Sequence, residues 1–219
     1  MKPVTVLPES YILYGDFEPR KFVKVRAIQT IAAILLAVLL LLLFDQIFPN
    51  RDPAASLAWR SISVFHRFAL LILIIFTWIL LHECTHAFFI WMFSGKWPQI
   101  KVTKLWGIPV GGYNSSPGWY YPRNVFIIFV LAPLFLVSLF LYFLSYRVPP
   151  VFVIPVQDCF LLNIVGSFQD AAVAFFAALH PVSALITWDG KIYHPKSVAG
   201  GKDASWSGRL RIFLERLVT

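Results

Sequence analysis

Apolar side chains in this chain fall into long unbroken runs, without the alternation or narrow stripes of a soluble fold. Four runs approach or exceed the roughly 20 helical residues needed to cross a bilayer. The first covers about residues 27 to 44, carries "AILLAVLLLLLF" and holds no charge. The second covers about 68 to 93, with Glu83 as its only charged residue. The third covers about 125 to 146 without a charge, and Pro133 is expected to kink it. The fourth starts near 152 or 160, where Pro155, Gln157 and Asp158 interrupt the pattern, and ends near His180-Pro181. Asp170 is its one deep charge.

The connections add direction. Lys2, Arg20, Lys21, Lys24 and Arg26 precede the first run, and Lys96, Lys101, Lys104 and Arg123 separate the second from the third. Lys191, Lys196, Lys202, Arg209, Arg211 and Arg216 follow the fourth, whereas the other two connections hold only Arg51, Arg60, Arg67 and Arg147. The 15-to-4 split puts both termini in the cytosol, a parity that four spans satisfy. The mixed segment ahead of the first run is longer and more acidic than a cleaved signal's basic lead, so that run is expected to stay as an anchor. The expected architecture is an all-α polytopic membrane protein of about four transmembrane helices, with a short strand-like loop between the second and third. It divides into a cytosolic segment (1–26), a membrane core (27–187) and a basic cytosolic tail (188–219).

The loop at 94–123 earns that description by composition. "KWPQIKVTKLWGIPVGGY" mixes β-branched and aromatic residues with glycine and proline, and "YNSSPGWYYPR" reads as turns leading to an aromatic belt. An interfacial loop anchored by its aromatics is the plainer reading. A hairpin whose edge pairs with an extended peptide is the functional one. In the tail, "SWSGRLRIFLERLVT" brings Leu210, Ile212, Phe213 and Leu217 near one helical face, fitting a helix on the membrane surface or, equally, a disordered basic tail.

Composition agrees with a bilayer as solvent: 58% of the 219 residues are hydrophobic and 14% charged. The net charge of +8 does not point to nucleic acid, because the basic residues flank apolar runs. Cys84 and Cys159 make no disulfide framework and read as small buried hydrophobes.

The second run contains "WILLHECTHAFFIW". Residues four apart share a helix face, so His82 and His86 project together and can bind one metal ion, with Glu83 beside them to handle protons. Zinc, one per chain, suits such a pair; it lowers the pKa of its water toward neutrality. A charge at the bilayer centre costs on the order of 2.5–3.5 kcal/mol, so these residues need a reason to be there. Histidines bonded between helices, or a protonated glutamate, would be structural reasons. Catalytic zinc usually takes a third protein ligand. Asp170 is the candidate: it lies 11 residues before Pro181, as His82 lies 11 before Phe93, so both sit roughly 16 Å from the same helix ends. A lone carboxylate bonded to another helix is the alternative for Asp170. Asn163, two turns earlier, could orient a substrate carbonyl or cap a helix broken at Gly166-Ser167, the latter being preferred. His66, His180 and His194 read as interfacial or solvated.

Taken together, "HECTHAFF" in a membrane helix, a strand-like loop, "LAPLF" at 131–135 and "NIVGSFQD" ending at Asp170 resemble the membrane family described as "putative zincin peptidase", itself similar to the site-2 intramembrane metalloproteases. The resemblance spans roughly residues 70 to 185. It implies a zinc metallopeptidase with His82, His86 and Asp170 as metal ligands and Glu83 as the catalytic residue. The chain departs from the site-2 pattern in having no proline between Asn163 and Asp170, and Ala171 where that pattern has glycine. The expected partners are the bilayer, a membrane-protein or peptide substrate and no nucleic acid. With no room for a separate regulatory domain, selection is expected from the loop, the tails or a membrane partner. A non-proteolytic scaffold or trafficking factor with a structural or vestigial metal site is the rival reading, and a single-zinc lipid hydrolase a third.

Overall fold

The computed structural model describes residues 2–16, 23–48, 53–105 and 108–199. The proposed surface helix at the C-terminal end lies outside the described residues. In chain order the elements are β1 (Tyr11–Asp16), α1 (Val23–Leu42), α2 (Phe44–Ile47), α3 (Pro53–Ser61), α4 (Val64–Ser94), β2 (Gln99–Leu105) and β3 (Ile108–Ser115). There follow β4 (Tyr120–Pro122), α5 (Arg123–Ala132), a π-helical turn (Pro133–Val137), α6 (Ser138–Ser145), α7 (Pro150–Gly166), α8 (Phe168–Ala178), β5 (Leu185–Thr187), β6 (Lys191–Pro195) and α9 (Lys196–Ala199).

Among the described residues, three helical stretches are long and apolar enough to cross a membrane: Val64–Ser94, Arg123–Ser145 and Pro150–Ala178. α1 covers most of the first expected span, with no charge after Arg26. α4 starts where Ser63 supplies a cap: its Oγ accepts from the His66 N–H (3.4 Å) and meets His66 Nδ1 (2.6 Å). It ends at Gly95, whose φ of 72° only glycine adopts readily and whose N–H returns to Trp91 O. Pro150 opens α7 at a position where its missing N–H is no loss. Pro155, expected to blur that start, sits inside α7. The fourth run breaks at Ser167, so Asp170 falls in the first turn of α8.

Residues divide into two compact units. One comprises described residues of Met1–Gln29, His86–Leu131 and Gln169–Thr219. Its core joins Ile90, Tyr121, Phe126, Phe129, Val130, Ala174, Ala177 and Ile186. Here the all-α expectation is corrected: β1, β6, β5 and β4 form an antiparallel sheet in that order. The N-terminal segment meets both flanks of it, through β1 on β6 and through Val4, which exchanges two backbone hydrogen bonds with Tyr120 on β4. The β5–β6 turn uses Gly190 at φ 90°. Beside it, burial raises the Asp189 carboxyl pKa, but bonding to Thr187 and Lys191 outweighs this and holds it below the ordinary value. β2 and β3 form a separate hairpin, the alternative to a plain interfacial loop. Arg123 closes α8 by donating to His180 O (2.6 Å) and Ala178 O (3.4 Å).

The other unit comprises described residues of Thr30–Thr85 and Ala132–Phe168. Val137, Leu141, Val156 and Cys159 make its core, with Trp78 and Leu81 packed on it. Cys159 is buried as expected, but Cys84 is exposed. Gly166 lets the Trp78 ring approach: a Cβ there would stand 3.0 Å from it. Phe65, Phe68, Ile72, Phe76 and Leu80 of α4 are exposed, which is compatible with a helix long and apolar enough to cross a membrane.

Candidate metal centre

His82 and His86 lie one turn apart on the unbroken α4. Each Nδ1 is held by a partner whose chemistry fixes where the proton sits. His86 is buried, and its Nδ1 lies 3.0 Å from Phe129 O. A carbonyl oxygen only accepts, so His86 donates through Nδ1 and a neutral ring keeps its lone pair on Nε2.

For His82 the logic runs through Asn163, which is fully buried. The Asn163 Nδ2 donates to Pro133 O (3.0 Å) and Ser138 Oγ (2.9 Å). Its Oδ1 accepts from Trp78 Nε1 (3.0 Å). An indole N–H only donates and a carbonyl only accepts, so the amide has one consistent orientation. The remaining contact, His82 Nδ1 to Asn163 Oδ1 at 3.1 Å, is then a donation from the imidazole. His82, like His86, is left with Nε2 as its lone-pair nitrogen. All four hydrogen-bonding positions of the Asn163 side-chain amide are engaged with Trp78, His82, Pro133 and Ser138, so the amide does not cap the break at Gly166-Ser167.

Asp170 joins this pair. Its Oδ2 stands 3.5 Å from His86 Nε2. In a zinc tetrahedron with ligand bonds of about 2.0–2.1 Å, neighbouring ligand atoms are about 3.4 Å apart, so the spacing fits two ligands of one ion. His82, His86 and Asp170 each offer a ligand atom, and these atoms all lie within 4.8 Å of one another. The first turn of α8 suits a carboxylate, because unbonded N–H groups and the helix dipole favour negative charge there. Glu83 follows His82 directly on α4 and is half-buried. Two imidazoles whose Nδ1 atoms face oxygen acceptors, together with one carboxylate, form a donor set suited to zinc.

Three histidines were expected to be interfacial or solvated. His66 is exposed, but His180 and His194 are buried, with His180 Nδ1 3.1 Å from His194 Nε2. Tyr14 stacks on His194 with ring centroids 4.1 Å apart. Sequence reasoning also missed Trp188, which lies on Phe129 (centroids 5.3 Å) and edge-on to His86 (6.2 Å). Its only advance signal was a bulky aromatic in the basic tail.

A protein-family model described as "putative zincin peptidase" matches residues 74–185, just over half the chain and the stretch that holds every member of this cluster. No curated protein and no solved structure matches.

Proposed function

The chain belongs to the "putative zincin peptidase" family, and from that membership we propose that it is an integral-membrane zinc metalloendopeptidase cutting peptide bonds in or near the bilayer, in the manner of site-2 proteases. The observation that carries the reading is the convergence of His82, His86 and Asp170, with both histidines oriented to offer Nε2. These three residues would hold one zinc ion, which would supply Lewis acidity toward water and a peptide carbonyl. The Glu83 carboxylate takes a proton from the attacking water and returns it to the departing amine nitrogen. As the C–N bond breaks, the carbonyl carbon gains the hydroxyl and the nitrogen gains the hydrogen. Asn163 positions His82 and does not touch substrate.

A peptide must be locally extended to expose its carbonyls, and a strand edge can hold it so. β2 and β3 pair with each other alone among the described residues, which leaves each with an outer edge for that purpose. Pairing of β1 with β6 brings the two ends of the described chain to one sheet, supporting termini on one side of the membrane. Lysine and arginine placement makes that side cytosolic. With α1 as the first crossing, the count is four.

Purified protein in liposomes, offered a library of quenched-fluorophore transmembrane peptides, tests the reading. Glu83→Gln should keep the fold and the zinc but lose about 10²–10⁴-fold in turnover. Equal turnover by wild type and variant would exclude Glu83 chemistry and favour a scaffold with a structural metal.

A further inference from the structure

The "LAPLF" turn is the part of the sequence that the chemistry above leaves without a task, and it lies against both histidine-holding contacts. In an α-helix the carbonyl of residue 129 accepts the N–H of residue 133. Residue 133 is proline and has no N–H. The carbonyl so deprived is the one that receives His86 Nδ1–H, 3.0 Å away in a buried setting. Pro133 also begins the π-helical turn, and its own carbonyl takes the Asn163 Nδ2 proton that fixes the amide holding His82. Such turns recur where a helix serves a functional site.

We propose that Pro133 is a positioning residue for both histidines: it releases the Phe129 carbonyl to set the His86 tautomer and presents its own carbonyl to set, through Asn163, that of His82. Proline in the interior of a spanning helix is tolerated when a neighbour satisfies the freed carbonyl. Here that neighbour is the His86 imidazole, whose Nε2 faces Asp170 Oδ2 at 3.5 Å.

The test substitutes Pro133→Ala, which restores an N–H able to compete for Phe129 O. Pro155→Ala, within α7 and away from both contacts, is the control. The ring-nitrogen NMR signals of ¹⁵N-histidine-labelled, metal-free protein, at a pH of about 8 where free imidazole is neutral, report the tautomers. Wild type and Pro155→Ala should carry the His86 proton on Nδ1; Pro133→Ala should move a measurable share to Nε2. Zinc affinity, from chelator competition, should fall about 10- to 100-fold in Pro133→Ala alone, the usual loss when a histidine's outer partner is disturbed. Helix stability should be unchanged or higher, since alanine suits a helix better than proline does. That is opposite to the direction of general damage.

An unaltered tautomer with unaltered zinc affinity in Pro133→Ala overturns the proposal. So does a wild-type His86 protonated on Nε2, a result readable even if the variant fails to fold. Only the zinc arm rests on the peptidase reading. Wild type that binds no zinc would sink that reading, while the tautomer arm would still judge the role of Pro133.

Discussion

His82 with His86 and His180 with His194 are both close-set histidine pairs, and their hydrogen bonds point in opposite senses. In the first pair each Nδ1–H goes to an oxygen, Asn163 Oδ1 or Phe129 O, and Asp170 stands at the Nε2 side of His86. In the second, the rings bond to one another across 3.1 Å under the Tyr14 ring. Burial does not separate them, because His194 is more deeply enclosed than His86. What separates them is the bond each is seen to make: oxygen acceptors outside the pair at Nδ1 in the first, a ring-to-ring bond in the second. Oxygen acceptors at Nδ1 suit the first pair to holding a metal through Nε2, whereas the ring-to-ring bond of the second joins two buried side chains.

The largest expected effect comes from breaking the first pair. His82→Ala should reduce peptide cleavage to background in the liposome assay, while His180→Phe leaves cleavage intact. Loss of cleavage in both would erase the distinction. Next is Asn163→Leu, which keeps the volume and removes the amide. Zinc affinity should drop about 10–100-fold by chelator competition. Unfolding in denaturant should show a loss of about 1–3 kcal/mol, because the partly buried Trp78 N–H loses its acceptor. A stability loss with normal zinc affinity would make Asn163 purely architectural. His194→Phe, which keeps a ring for Tyr14 to stack on, should likewise cost about 1–3 kcal/mol of stability, with no change in zinc.

The smallest effect belongs to Asp189. Its carboxyl pKa lies below the unfolded value, so its contribution is present above about pH 4 and is lost as the pH falls through the folded value. Its side chain is 61% exposed and its pairing with Lys191 (3.1 Å) is screened by water. Asp189→Asn should therefore lower stability near neutral pH by no more than about 0.2–1 kcal/mol, and by less in acid, with zinc unaffected.

The sequence announced the helices because an uncharged run of spanning length has few other uses. It also marked His82, Glu83 and His86 as candidates through helical spacing, and Asp170 as the lone deep charge of its run; of these, His82, His86 and Asp170 come within ligand reach of one another. The four-stranded sheet was illegible for a physical reason. β4 and β5 are three residues each, too short to show alternation, and their partners lie far away in the chain. The burial of His180 and His194 followed the sheet into obscurity, since it depends on β6 being covered by the N-terminal segment. Asn163 was visible as a polar residue in an apolar helix. Its four partners were not, because they come from α4, the π-helical turn and α6.

Metal analysis of purified protein tests the central claim most directly, with wild type measured against His86→Ala and Asp170→Ala after equal exposure to zinc. One zinc per chain in wild type and none retained by either variant is the predicted result. Full occupancy without Asp170, or a wild type that holds no zinc, would contradict it.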